Sequence, residues 1–166
     1  IISHYTYQET GKNLVHSNFL HSLLLDHSGN VWVGSEFAGV TLLSVLSEGS
    51  YRIYPEHESI NDYVNAIRTV VKMPDGGFWF GTRQGNVYAY DKNLEAASCY
   101  KMPYNYIYAA SCDGDGKLWL GTRTMGLCID GRWYHKMAGD TLSLAHENIF
   151  DIYRDDKNRM WIGTFG

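Results

Sequence analysis

Four copies of one short pattern, in which Trp sits between apolar residues and Gly follows two positions later, constrain this chain more than anything else in it. They are Val31-Trp32-Val33-Gly34-Ser35, Phe78-Trp79-Phe80-Gly81-Thr82, Leu118-Trp119-Leu120-Gly121-Thr122 and Met160-Trp161-Ile162-Gly163-Thr164. The tryptophans lie 47, 40 and 42 residues apart, a spacing that marks stacked structural repeats. Each copy is an apolar run too short for a helix and reads as a buried strand. Ahead of each Trp stands Gly29, Gly76, Gly116 or Asn158. These residue types accept positive φ, so a tight hairpin turn is expected there.

Upstream apolar stretches at 22–26, 66–73, 106–113 and 148–155 supply a first strand for each hairpin. Downstream, Gly39, Gly85 and Gly126 lead into third strands at 40–44, 86–90 and 127–130, and aromatic fourth strands follow at 51–54, 97–102 and 132–137. Pro55 and Pro103 come just after two of the fourth strands, where a missing amide hydrogen is harmless. A four-stranded antiparallel meander that repeats about every 40–45 residues is the blade of a β-propeller. The Trp is expected to fill the space between blades, and the Gly to let the backbone pass closely. The expected fold is therefore all-β, a propeller fragment of about three and a half blades. Residues 1–7 form an outer strand of a preceding blade, 20–55, 64–103 and 106–137 are blades, and 148–166 are the first two strands of a further one. A β-sandwich with Trp in its core fits four in-frame copies poorly. A chain that starts and stops inside blades leaves open sheet edges, which proteins cover or pair. Completion by missing propeller sequence, another polypeptide or a second copy is expected, and a homodimer is among the expected assemblies.

The run Asn148-Ile149-x-x-Ile152-x-x-Asp155-x-x-x-x-Met160-Trp161-Ile162-Gly163-Thr164, with Leu142-Ser143-Leu144 ahead of it, resembles the two-component regulator propeller repeat. Such repeats build the extracytoplasmic sensor region of hybrid two-component sensor histidine kinases from polysaccharide-degrading bacteria. The resemblance covers nearly the whole chain. Two departures stand out: Met73 replaces the Asp found at Asp26, Asp113 and Asp155, and Ser35 replaces Thr. The resemblance implies a seven-bladed ring and a periplasmic placement in an inner-membrane receptor. It also implies a segment with no catalysis of its own, an oligosaccharide ligand, and the remainder of the propeller and receptor as partners.

Composition narrows the alternatives. Fourteen Lys and Arg against 18 Asp and Glu give a net charge of −4, which provides no basic footprint for nucleic acid or an anionic membrane. No apolar run approaches the roughly 18 residues of a membrane span, and no export-signal pattern is visible. Cys99, Cys112 and Cys128 lack CxxC spacing, so neither a zinc site nor a disulfide framework is indicated, although one bridge stays open. The histidines never form a metal-spaced pair, and Asp113-Gly114-Asp115-Gly116 aligns with the hairpin turns and lacks the further ligands of a calcium loop. No metal or cofactor is expected.

In a propeller, the loops before the first strand and between the second and third strands gather at one end of the central channel. The first set holds Asn18 and His21; Asn61, Asp62, Tyr63 and Asn65; Tyr104, Asn105 and Tyr106; and His146, Glu147 and Asn148. The second holds Glu36 and Phe37, Arg83 and Gln84, Arg123 and Thr124, and Phe165. Arg83 and Arg123 occupy one position in successive units and are expected at one rim, where two guanidinium groups can fork onto a carboxylate or sulfate of an acidic sugar. Alternatively, each pairs with a neighbouring acid or faces solvent. Turn chemistry explains the asparagines without a ligand, and tyrosines in polar loops serve contact or inter-blade packing. The candidate ligand residues are Tyr63, Asn65, Arg83, Tyr104, Tyr106, Arg123 and His146, with no catalytic assignment. Two rivals remain. A propeller polysaccharide or lactone lyase would need His21 or His146 as base with Tyr or Arg, or converging carboxylates such as Asp62, Glu36 and Glu147; the other rival is a protein-binding propeller. Light scattering of the chain is expected to return a dimer, whereas a folded monomer would mean that the edges are capped internally and the strand order above is wrong.

Overall fold

Each Trp hairpin grows into an antiparallel sheet whose strands follow one another in sequence. The computed structural model describes residues 6, 15–44, 49–56, 63–103 and 106–165, all but 49, 50, 63 and 97 with their side chains. The first sheet contains β1 (Leu20–Leu25), β2 (Val31–Ser35), β3 (Val40–Ser44) and β4 (Gly49–Ile53). The second contains β5 (Ile67–Lys72), β6 (Phe78–Thr82), β7 (Asn86–Tyr90) and β8 (Ala96–Lys101). The third contains β9 (Ile107–Cys112), β10 (Leu118–Thr122), β11 (Leu127–Ile129) and β12 (Arg132–Tyr134), and a final hairpin pairs β13 (Ile149–Arg154) with β14 (Met160–Thr164). The first strands β1, β5, β9 and β13 lie side by side. The architecture is all-β, a segment of a β-propeller. No helix among the described residues is long and apolar enough to cross a membrane. The strand expected at 1–7 lies outside the described residues, Thr6 excepted.

Strand ends depart from expectation chiefly in three places, one being β4, which begins at Gly49, before the expected 51. β1 begins at Leu20, before the expected 22. β12 stops at Tyr134 because the next amides leave the ladder: Lys136 donates to Glu147 Oε1 (2.8 Å) and Met137 to Ser143 Oγ (2.9 Å).

The hairpin turns adopt the conformation their residues allow, with φ of 81° at Gly29, 90° at Gly76, 81° at Gly116 and 61° at Asn158. One carboxylate organises three of them. Asp26 Oδ1 accepts the amides of Ser28 and Asn30, both at 2.9 Å, while its Oδ2 accepts the Trp32 indole N–H at 3.0 Å. Asp113 repeats this with Asp115, Lys117 and Trp119, and Asp155 with Lys157, Arg159 and Trp161. Burial opposes charge on Asp26 and Asp113, but these donors outweigh it and hold both carboxyls below the usual carboxylate range. Met73 cannot do this. Its turn closes through the backbone, Met73 N–H to Gly77 O at 2.8 Å, and through Asp75 Oδ1, which accepts the Gly77 amide at 2.9 Å. Trp79 instead stacks on Tyr100, with centroids 5.4 Å apart at 4°, and packs beside Met73.

The core consists of three inter-blade layers. Trp32, its ring 4.0 Å from Phe78, packs with Ile67, Phe80, Tyr88 and Tyr90 between the first two sheets. Val71, Val87 and Trp79 meet Ile107, Leu118 and Leu120 in the second layer, and Leu127 and Trp119 meet Ile149, Ile152 and Met160 in the third. Cys112 and Cys128 are buried as small hydrophobes, Cys99 is exposed, and all three thiols are free.

The inter-blade spacing is set at the glycines. Ile67, Ile107 and Ile149 are fully buried, and a Cβ on Gly34, Gly81 or Gly121 would lie 2.8, 3.0 or 2.5 Å from the respective isoleucine Cγ2. No side chain fits there. Gly163 differs, since a Cβ on it would meet nothing nearer than Asp151 Cβ at 3.4 Å. In urea unfolding, Gly121→Ala is expected to destabilise by about 2 kcal/mol and Gly163→Ala to stay within about 0.5 kcal/mol; equal effects would show that the notch does not fix the packing.

Candidate functional site

Every first strand carries one extra residue near its start. Leu20 stands opposite Ser35, yet Ser22 already stands opposite Gly34, so His21 is bulged out of the ladder. The same shift singles out Arg68, Tyr108 and Phe150. A bulge redirects its side chain, and here the four redirected groups meet across blades. Arg68 Nη1 donates to His21 Nδ1 at 3.0 Å. The Arg68 guanidinium carbon lies 5.6 Å from the Tyr108 ring centre, and Tyr108 stacks on Phe150 at 5.5 Å and 18°. Phe165 continues the row 6.3 Å from Phe150, with His146 edge-on to it at 5.7 Å. His21, Arg68, Tyr108 and Phe150 line a groove of about 620 Å³ that runs along the first strands.

The loop after β2 delivers Glu36 to this row. Its Oε1 accepts from Arg83 Nη1 at 3.0 Å and lies 3.8 Å from Arg68 Nη2, while its Oε2 sits 3.2 Å from His21 Nε2. Because arginine can only donate, His21 Nδ1 is the acceptor and Nε2–H is the donor to Glu36. Burial, then the Arg68 charge, push His21 below the ordinary imidazole value, and Glu36 pulls upward without prevailing. The fold therefore favours the neutral ring. The associated stability is present above the unfolded-state value and is lost as pH falls through the lower folded-state value.

Arg83 and Arg123 converge on one ring, each guanidinium carbon 5.8 Å from the centre of Tyr106. Tyr106 has φ 75°, unusual for a side chain of that size. Both arginine loops hold it there, since Tyr106 N–H donates to Arg83 O at 2.8 Å and Arg123 N–H donates to Tyr106 O at 3.2 Å. Arg83 pairs with Glu36, whereas among the described residues Arg123 has no carboxylate partner and is exposed.

The expected site residues thus separate. Arg83, Tyr106 and Arg123 come together, and His146 stands at the far end of the aromatic row, its Nδ1 accepting the Asn148 amide at 3.0 Å. Asn65 is fully buried and clamps the Glu56 backbone, Nδ2 donating to its carbonyl at 2.9 Å and Oδ1 accepting its amide at 3.1 Å. Tyr104 and the Tyr63 side chain lie outside the described residues. Sequence reasoning missed Arg68, Tyr108 and Phe150. The available signal was a constant offset: His21, Arg68, Tyr108 and Phe150 each stand eleven residues before a repeat Trp. Among the described residues no trio of His, Cys, Asp or Glu is placed to hold a metal ion.

The fold and this row define a propeller segment with its polar and aromatic groups gathered at one end of the channel. Residues 13–37, 101–124 and 143–166 match the family described as two component regulator propeller. Histidine kinase P4 of Formosa agariphila is 22% identical over 161 residues, which cover 89% of this chain and 12% of that protein. Among solved structures, the extracellular domain of a one-component system from B. thetaiotaomicron matches with TM-score 0.74 and 21% identity, over 90% of this chain and 21% of that one. The extracellular domain of a hybrid two-component system from the same organism gives TM-score 0.66 and 22% identity, over 92% and 20% of the two chains. Virginiamycin B lyase from Staphylococcus aureus shares the fold at TM-score 0.65 and 13% identity, over 88% and 49%. At such identities the structural likeness establishes the fold. The chain spans about 12% of the kinase's length and 21% of the first solved neighbour.

Two-dimensional NMR titration is expected to place the His21 transition below 6.5, and Glu36→Gln is expected to lower it further, since Glu36 is the group that raises it. An unchanged or higher value in the variant would contradict the Glu36 contact.

Proposed function

We propose that this chain is a non-catalytic sensing segment of the extracytoplasmic region of a hybrid two-component sensor kinase, facing the periplasm, and that its ligand is an oligosaccharide seated on the aromatic row at the channel mouth. The observation that carries the reading is the continuous run Tyr108, Phe150 and Phe165 beside the Arg68 guanidinium, with Arg83 tied to Arg68 through Glu36 and sharing the Tyr106 ring with Arg123. Phe150 and Phe165 are 52% and 61% exposed. Sugar rings present C–H faces to such surfaces and hydroxyls to their polar neighbours. The family match, and extracellular two-component domains among the structural neighbours, support the receptor context.

The lyase reading is weaker on local geometry. His21 accepts at Nδ1 and donates at Nε2, and His146 Nδ1 is already hydrogen-bonded, so neither is poised to take a substrate proton. In the sensing reading, the remainder of the propeller and a second receptor copy complete the assembly. The ligand shifts their arrangement only through its differential affinity for two states.

Isothermal titration calorimetry against short neutral and acidic oligosaccharides is expected to find at least one binder. Tyr108→Ala and Phe150→Ala are each expected to weaken it about tenfold with unchanged circular dichroism. If no sugar binds, or if both alanine variants bind as well as the parent, the sugar reading fails.

A further inference from the structure

Among the described residues that share contacts there, the channel mouth gathers more positive than negative charge. Arg68 and Arg83 both face the Glu36 carboxylate, Arg123 shares the Tyr106 ring with Arg83, and His21 is held neutral between Arg68 and Glu36. Farther along, the groove lining adds Lys72 and Arg154 against Asp151. This excess arises in a chain whose net charge is −4, so it is local and not a consequence of composition. The groups are also partly withdrawn from water, with side-chain exposures of 17% for Arg68, 32% for Arg83 and 17% for Glu36. Arg68 Nε is buried without a partner among the described residues. Gathering like charges away from solvent is unfavourable unless an anion joins them.

Resting on the sugar reading above, we propose that the ligand is an anionic oligosaccharide whose carboxylate or sulfate groups engage Arg83 and Arg123 around the Tyr106 ring, with Glu36 as the internal counter-ion that competes for Arg83. The Glu36 carboxylate shows that Arg83 takes a carboxylate oxygen at this mouth, one oxygen lying 3.0 Å from Arg83 Nη1 and the other 3.2 Å from His21 Nε2. Arg123 supplies the second fork, since it shares the Tyr106 ring with Arg83 and has no carboxylate of its own among the described residues. A neutral sugar could use the aromatic row but would leave this charge unanswered. Glu36 therefore acts as a threshold that an anionic ligand must overcome to reach Arg83 and that a neutral ligand does not meet.

Calorimetry with the parent chain, Glu36→Gln and Arg123→Ala would use three probes of one length: tetragalacturonate, a sulfated galactan tetrasaccharide and the uncharged galactan tetrasaccharide. An anionic probe is expected to bind the parent more tightly than the neutral one and to weaken on added salt. Its affinity is expected to rise several-fold in Glu36→Gln and to fall about tenfold in Arg123→Ala, while the neutral probe changes little in either. Preference for the uronate or for the sulfate ester tells which anion the fork accepts. Equal binding of neutral and anionic probes, unmoved by both variants, would overturn the anionic proposal and leave the sugar reading standing. Absence of binding by all three in folded protein would remove both.

Discussion

A branched side chain set over a glycine decides how each blade lies against the next. Ile67 over Gly34, Ile107 over Gly81 and Ile149 over Gly121 leave no room for a Cβ, so adjacent sheets approach to one fixed distance near the channel mouth. Trp stands two residues earlier on the same strand and fills the wider part of the layer. Close packing makes such an arrangement discrete, not adjustable. The row of bulged residues depends on it, because each directly follows Leu20, Ile67, Ile107 or Ile149 in the chain. Once the isoleucines are seated, Arg68 can reach His21 on one side and Tyr108 on the other.

The second device is the aspartate of the hairpin turn. It satisfies two turn amides and an indole N–H with one carboxylate, joining a local turn to the orientation of the largest core side chain. Because these donors depress the Asp26 and Asp113 carboxyls, their stabilisation is present above the unfolded value of 3.8 and is lost as pH falls through the lower folded value. The repeat tolerates loss of this carboxylate where another contact holds the indole. At Met73, backbone pairing and Asp75 close the turn, and Tyr100 supplies a stacking face to Trp79. Ser35 in place of Thr changes less, since its hydroxyl donates to Gly39 O just as Thr122 donates to Gly126 O.

Blade architecture was legible in the sequence because every strand is announced locally, by an apolar run, a positive-φ turn residue or the Trp–Gly pair. The meeting of Arg83 and Arg123 was legible for the same reason, since repeat geometry turns equal offsets into neighbouring positions. Tyr106 as their common neighbour was not, because its left-handed backbone is held by a carbonyl of one loop and an amide of another, both distant in sequence. Arg68, Tyr108 and Phe150 escaped for a different reason. Simple alternation assigns each a face of its sheet, and only the bulge, a property of pairing and not of either strand alone, turns it toward the channel. Asn65 shows the converse: its place in a polar loop suggested a ligand, but the loop itself needed both ends of its amide.

Where the polar groups sit also bears on what a ligand can change. The Asp–Trp hydrogen bonds lie within single blades and the Ile–Gly notches are sealed from the groove, so neither responds to an occupant of the mouth. Glu36 is different: it belongs to the first blade and its arginine partners to the second, while Arg83 of the second and Arg123 of the third share Tyr106. Charge introduced there acts on ties between blades. Partly exposed ion pairs of this kind are worth about 1 kcal/mol or less each, far below the cost of opening a packed layer. A ligand acting through them therefore leaves the packed blades unchanged and biases, by several-fold in population, only how this rigid segment sits against the rest of a receptor. On the sensing reading, that graded shift of rigid units, and not any local unfolding, is what the rest of a receptor would receive.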